Sequence, residues 1–141
     1  MLLAIECRSV PSIAFYDALI PAGFPSPAAD YVEGKLDLND LIKRPAATFA
    51  VRVSGFSMTR AGLMDGSVVL VDRSITPKPG DVVVAVLDGE MTVKRLLMRN
   101  GSYILAPDCD DPLYRPIALG EQSEMVVWGV VYAVITVLGA G

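Results

Sequence analysis

From Thr48 onward the chain alternates runs rich in β-branched residues with compact polar turns. The runs cover 48–54, 68–72, 81–87, 90–97, 103–106 and 125–137, a pattern that predicts strands rather than helices. Asp65-Gly66, Asp88-Gly89 and Asn100-Gly101 separate them and supply residues that tolerate the positive backbone angles of tight turns. Asp88-Gly89 is the strongest hairpin signal, because an apolar run flanks it on each side. The first 45 residues read differently. Five of the ten prolines fall there, at 11, 21, 25, 27 and 45, with little period-2 alternation. This predicts an extended arm over 1–45 followed by a β-rich core over 46–141. Within the arm, Ser26-Pro27 has the form of a helix N-cap and first position, and Asp37 can cap a second turn that must end before Pro45. The run 125–138 is too short for the ~18–20 residues of a membrane helix, and its valines predict a buried strand.

Composition narrows the class. At 141 residues, 52% hydrophobic and 20% charged, the chain is long and apolar enough to bury one core. A net charge of -4 without a cluster of Lys and Arg argues against gripping a phosphate backbone, so direct DNA binding is not expected. Charges and prolines interrupt the first 23 residues too often for a secretory signal. Cys7 and Cys109 have no metal-ligand spacing, so free thiols in the cytoplasm are the simplest reading. No metal and no cofactor are expected, nor is a membrane partner.

The chain contains no histidine. Any serine nucleophile must therefore find another base, which excludes Ser-His-Asp and Cys-His chemistry and leaves serine with a deprotonated lysine. Ser57 sits in the tight stretch Gly55-Phe56-Ser57-Met58, ahead of a helical turn that Gly62 would close. A serine there equally suits a helix N-cap, and its Oγ would then accept a backbone N–H. The same geometry presents backbone amides, those of Ser57 and Met58, to an oxyanion. Lys94 lies in the run Met91-Thr92-Val93-Lys94-Arg95, where a lysine is ordinarily a solvent-facing strand residue. To act as a base at pH 7 it must lose about 3.4 units of pKa, or ~4.6 kcal/mol, which burial can supply. Strand alternation turns Arg95 to the opposite face. Ala22-Gly23 in the arm joins two small residues and suits close approach by a nucleophile, although a simple turn between Pro21 and Pro25 explains it as well. Asp108, Asp110 and Asp111 match no cation-loop spacing and read as a solvated acidic loop. The pattern G-x-S-x-G fails, because Thr59 replaces its second glycine.

Several of these segments fall in an order that resembles the UmuD family, the polymerase V accessory subunits related to the self-cleaving domain of the LexA repressor. The stretches are Gly23-Phe24-Pro25-Ser26-Pro27-Ala28-Ala29-Asp30-Tyr31, Ser54-Gly55-Phe56-Ser57-Met58, Asp65-Gly66 leading to Val71-Asp72, Asp88-Gly89-Glu90, Thr92-Val93-Lys94 and Gly129-Val130-Val131. They cover nearly all of 23–134. The resemblance implies coiled β-sheets of the LexA and signal-peptidase kind. It implies Ser57 as nucleophile, Lys94 as general base and Ala22-Gly23 as a self-cleavage site. It further implies a homodimer, stimulation by a RecA filament on single-stranded DNA, and a UmuC-like Y-family polymerase that receives the processed form in the SOS response. Phe56 departs from the small or charged residue common in the family, and Ala22 from the cysteine of some members. Alternatives are a repressor, which needs a helical DNA-binding domain for which the arm leaves little room, a membrane-anchored signal peptidase, and a non-catalytic dimeric module.

Overall fold

In a computed structural model, the described residues are 2–4, 13–17, 20, 22–25, 32–119 and 124–139. The strands are β1 (Leu2–Ala4), β2 (Ile13–Asp17), β3 (Val32–Leu36), β4 (Thr48–Arg52), β5 (Val68–Asp72), β6 (Val82–Leu87), β7 (Glu90–Arg99), β8 (Ser102–Ala106), β9 (Ile117–Ala118) and β10 (Met125–Ile135). The molecule is mainly β, as the hydrophobic pattern predicts. Two compact units result: residues 6–43 form one, and 1–5 with 44–141 form the other.

The smaller unit is more regular than the extended arm with brief turns that the prolines predict. β2 and β3 pair antiparallel, Ile13 opposite Leu36 and Asp17 opposite Val32. Asp37 then caps the 3-10 turn Leu38–Leu41 through its Oδ1, which accepts the Asn39 amide at 2.9 Å. That cap was expected from the sequence; the Ser26-Pro27 helix start lies outside the described residues. Ala22 and Gly23 stand in an exposed bend in the connection between the two strands.

In the larger unit eight strands form one antiparallel sheet in the order β1-β4-β5-β10-β6-β7-β8-β9. Alternate residues of β6 serve two clusters: Val84 packs with Val51, Val53, Met58 and Leu63, whereas Val83 and Ala85 pack with Leu96 and Leu105. A strand covered on both faces needs an unbroken apolar run, which explains why 82–87 contains no polar residue. β10 bridges β5 and β6 and carries irregularities between Val127 and Gly129 and between Val131 and Ala133. Asp88-Gly89 and Asn100-Gly101 make the tight turns expected, each with positive φ at both residues.

At the end of β5, Asp72 is 3% exposed. Its carboxylate accepts the Ser74 amide at 2.8 Å, the Ser74 hydroxyl at 2.6 Å and Arg44 Nε at 2.8 Å. Burial alone would push its pKa up, but these donors together outweigh burial and hold it below 3.8. A depressed native value means that the stabilisation is complete above the unfolded value of about 3.9 and fades as pH falls through the native one. Thermal unfolding of the parent and of Asp72→Asn is therefore expected to differ most at neutral pH and to converge in acid. An equal difference at every pH would contradict this.

Candidate active site

Three features fix the turn that holds Ser57. The β4–β5 ladder ends in reciprocal bonds just beyond β4, Val53 N–H to Ser67 O and Gly66 N–H to Val53 O, both 2.8 Å. Gly55 then turns the chain with φ +94°, a conformation that favours glycine, and donates its amide to Asp65 Oδ1 at 2.8 Å. Met58 follows, 2% exposed in the core, with its carbonyl accepting the Ala61 and Leu63 amides at 3.1 and 3.2 Å. Ser57 is thus suspended between exposed Phe56 and the Met58 anchor.

The N-cap reading of Ser57 is corrected here. The 3-10 turn Thr59–Ala61 is capped at Met58, without a side-chain hydrogen bond, and closed by Gly62 in the left-handed region. The serine hydroxyl instead faces Lys94, whose Nζ lies 3.0 Å from Ser57 Oγ. The same Nζ donates to Thr92 Oγ1 at 3.0 Å and to the Val93 carbonyl at 3.2 Å. Three acceptors at this range fix the end of a side chain that carries many rotamers when free. Thr92 was not singled out from sequence. Its signal was present, since residues two apart on a strand share a face.

Lys94 is only partly buried. Burial still dominates and moves its pKa below 10.5, while charge on Cys109 opposes the shift. β6 places Val83 opposite Lys94 and Ala85 opposite Thr92, so the sheet withholds other polar partners on that side. The serine and lysine open into a cleft of about 330 Å³ lined also by Val53, Ser54, Met91 and Val93. Among the described residues, no hydrogen-bond acceptor engages the amides of Ser57 or Met58. No group of metal-ligating side chains occurs among the described residues, and no helix there is long and apolar enough to cross a membrane.

A β-sheet core that sets a serine beside a partly desolvated lysine at an open cleft has the parts of a serine peptidase without histidine. Residues 14–132 match the Peptidase S24-like family, and the chain belongs to it. It is 50% identical over 115 residues to protein ImpA of Salmonella typhimurium, a match covering 81% of this chain and 77% of ImpA. Protein SamA of Salmonella typhimurium (strain LT2) is 44% identical over 137 residues, covering 96% of this chain and 94% of SamA. Protein MucA of Escherichia coli is 44% identical over 123 residues, with 86% and 83% covered. These are UmuD-family relatives, so the resemblance read from the motifs holds.

Proposed function

We propose that this chain is an SOS-response protein of the cytoplasm that cuts its own Ala22-Gly23 bond with Ser57 and Lys94. The observation that carries the reading is the 3.0 Å approach of Lys94 Nζ to Ser57 Oγ beside an open cleft. Neutral Lys94 removes the Ser57 proton as Oγ bonds to the Ala22 carbonyl carbon. The amides of Ser57 and Met58 hold the resulting oxyanion. The Lys94 ammonium returns its proton to the Gly23 nitrogen as the C–N bond breaks. Water, relieved of a proton by Lys94, then attacks the Ser57 ester, releasing the Ala22 carboxylate and restoring the serine. A peptide occupying the cleft would remove water from the exposed part of Lys94 and lower its pKa further. Thr92 keeps the amine aimed at Oγ throughout.

By its family membership, the stimulus proposed is a RecA filament on single-stranded DNA, and the processed homodimer is proposed to serve a UmuC-like Y-family DNA polymerase in translesion synthesis. The acidic balance of the chain suits a protein partner better than direct specific DNA binding. Incubation with RecA, single-stranded DNA and a nucleotide is expected to yield fragments 1–22 and 23–141 by mass spectrometry. The Ser57→Ala protein should yield neither. Fragments that persist in Ser57→Ala, or parent protein that stays whole both with RecA and at alkaline pH, would overturn the reading.

A further inference from the structure

Adjacent residues of β7 make separate connections to the serine turn. Lys94 reaches the Ser57 hydroxyl directly. Arg95 reaches the same turn through Asp108, in the irregular segment 107–116 between β8 and β9. Arg95 Nη2 donates to Asp108 Oδ2 at 2.8 Å, and Arg95 Nη1 donates to the Gly80 carbonyl at 2.7 Å. The Asp108 backbone spans the turn with two further bonds. Its amide donates to the Ser57 carbonyl at 2.8 Å, and its carbonyl accepts the Arg60 amide at 2.9 Å.

The remaining polar ties between segment 107–116 and the rest of the described residues are weak by comparison. Arg60 and Asp110 approach to 3.4 Å with both side chains largely exposed, so solvent screens them. The bonds made by Cys109, Leu113 and Tyr114 stay within the segment. The Arg95–Asp108 pair differs: both side chains are 30% exposed, the contact is charge-assisted, and Gly80 holds the guanidinium from a second side. The segment is thus tied to β7 by one carboxylate and to the serine turn by the backbone of that same residue.

We propose that Arg95 and Asp108 are a positioning pair, which locks segment 107–116 to β7 so that the Asp108 backbone holds the Ser57 turn in register with Lys94. One strand then fixes the base and, one residue later, the support of the nucleophile. Displacement of a reacting group by about 1 Å can cost ~10²-fold in rate, so a clamp at this distance has kinetic weight without touching substrate. The inference rests on the self-cleavage reading proposed above.

The test is a double-mutant cycle on the full chain with Arg95→Met and Asp108→Asn. Cleavage is followed without RecA, below the thermal midpoint of every variant and at a pH on the plateau where Lys94 has lost its proton. Plateau rates compare geometry, since protonation no longer differs. Each single variant is expected to fall about 10-fold, the double variant no further than either single, and Arg95→Lys to recover part of the loss. Parent protein that cleaves while both singles remain within twofold would overturn the positioning role alone. Independent, multiplying losses would also overturn it, since the residues would not be acting as a pair. Failure of the parent to cleave, or cleavage by Ser57→Ala, would instead remove the self-cleavage reading.

Discussion

Lys94→Met is expected to lower self-cleavage by about 10³-fold or more while leaving the thermal midpoint unchanged or higher. Removing a general base alone costs ~10²–10⁴-fold, and residues that act as one unit with a nucleophile reach beyond that range. The stability side has the opposite sign. The amine is partly withdrawn from water, with hydroxyl and carbonyl partners but no carboxylate partner among the described residues, so its charged form carries a desolvation penalty. Methionine fills a similar volume without that desolvation penalty, and the Ser57 and Thr92 hydroxyls face a cleft that water can enter. Loss of rate without loss of stability separates a chemical role from a structural one. A Lys94→Met protein that retained cleavage within tenfold would exclude Lys94 as the base.

The pH dependence follows from the same displacement. Because burial lowers the native pKa of Lys94, the neutral fraction, and with it the uninduced cleavage rate, should rise with pH and level off below 10.5. Between the lowered native value and 10.5 the unfolded chain binds more protons at this position than the folded one. This group therefore adds stability as pH rises across that window. Alkaline activation is in this way expected to coincide with relief of a native-state penalty.

Gly129→Val should destabilise the sheet severely, with Gly129→Ala lowering the midpoint by several degrees. A Cβ at position 129 would stand 2.5 Å from Val71 Cγ1, 3.3 Å from Arg73 Cγ and 3.4 Å from the Asp72 carbonyl. Val71 is fully buried and β-branched, so it has no free rotamer into which to retreat. Gly→Ala in a strand ordinarily gains ~0.5–1 kcal/mol from reduced chain entropy, whereas overpacking a tight core costs ~1–3 kcal/mol, and the second effect wins. Valine adds two methyl groups where one carbon already collides. Calorimetry on the three proteins checks the order, and an unchanged midpoint in Gly129→Ala would refute the close-packing argument.

Gly129 also shows where reading the sequence stops. The runs at 68–72 and 103–106 become β5 and, with one added residue, β8, because each is a short apolar stretch between turn formers. β1, β2, β3 and β9 were not visible. β1 has three residues and β9 two, and β2 and β3 are five-residue runs in a proline-rich stretch, all too short to show a clear period. Leu2–Ala4 is a strand because β4 offers an edge at Phe49–Val51, which no local pattern announces. Met58 capped the 3-10 turn in place of Ser57 because its side chain is drawn into the core, a tertiary demand that outweighs a capping preference of ~1 kcal/mol.

Residue order alone is enough for the β class, the turns at Asp88 and Asn100, and the restriction that a serine nucleophile here must work without imidazole. These depend on residue type and short-range order, which are present in the chain before it folds. Only packing brings Ser57 and Lys94, 37 positions apart, to 3.0 Å, and sets the Asp108 backbone, distant in sequence from both, in hydrogen-bond contact with the serine turn. It also leaves Lys94 partly and not wholly desolvated. Such facts depend on which strands become neighbours, and that choice belongs to the packing of the whole sheet rather than to any single segment.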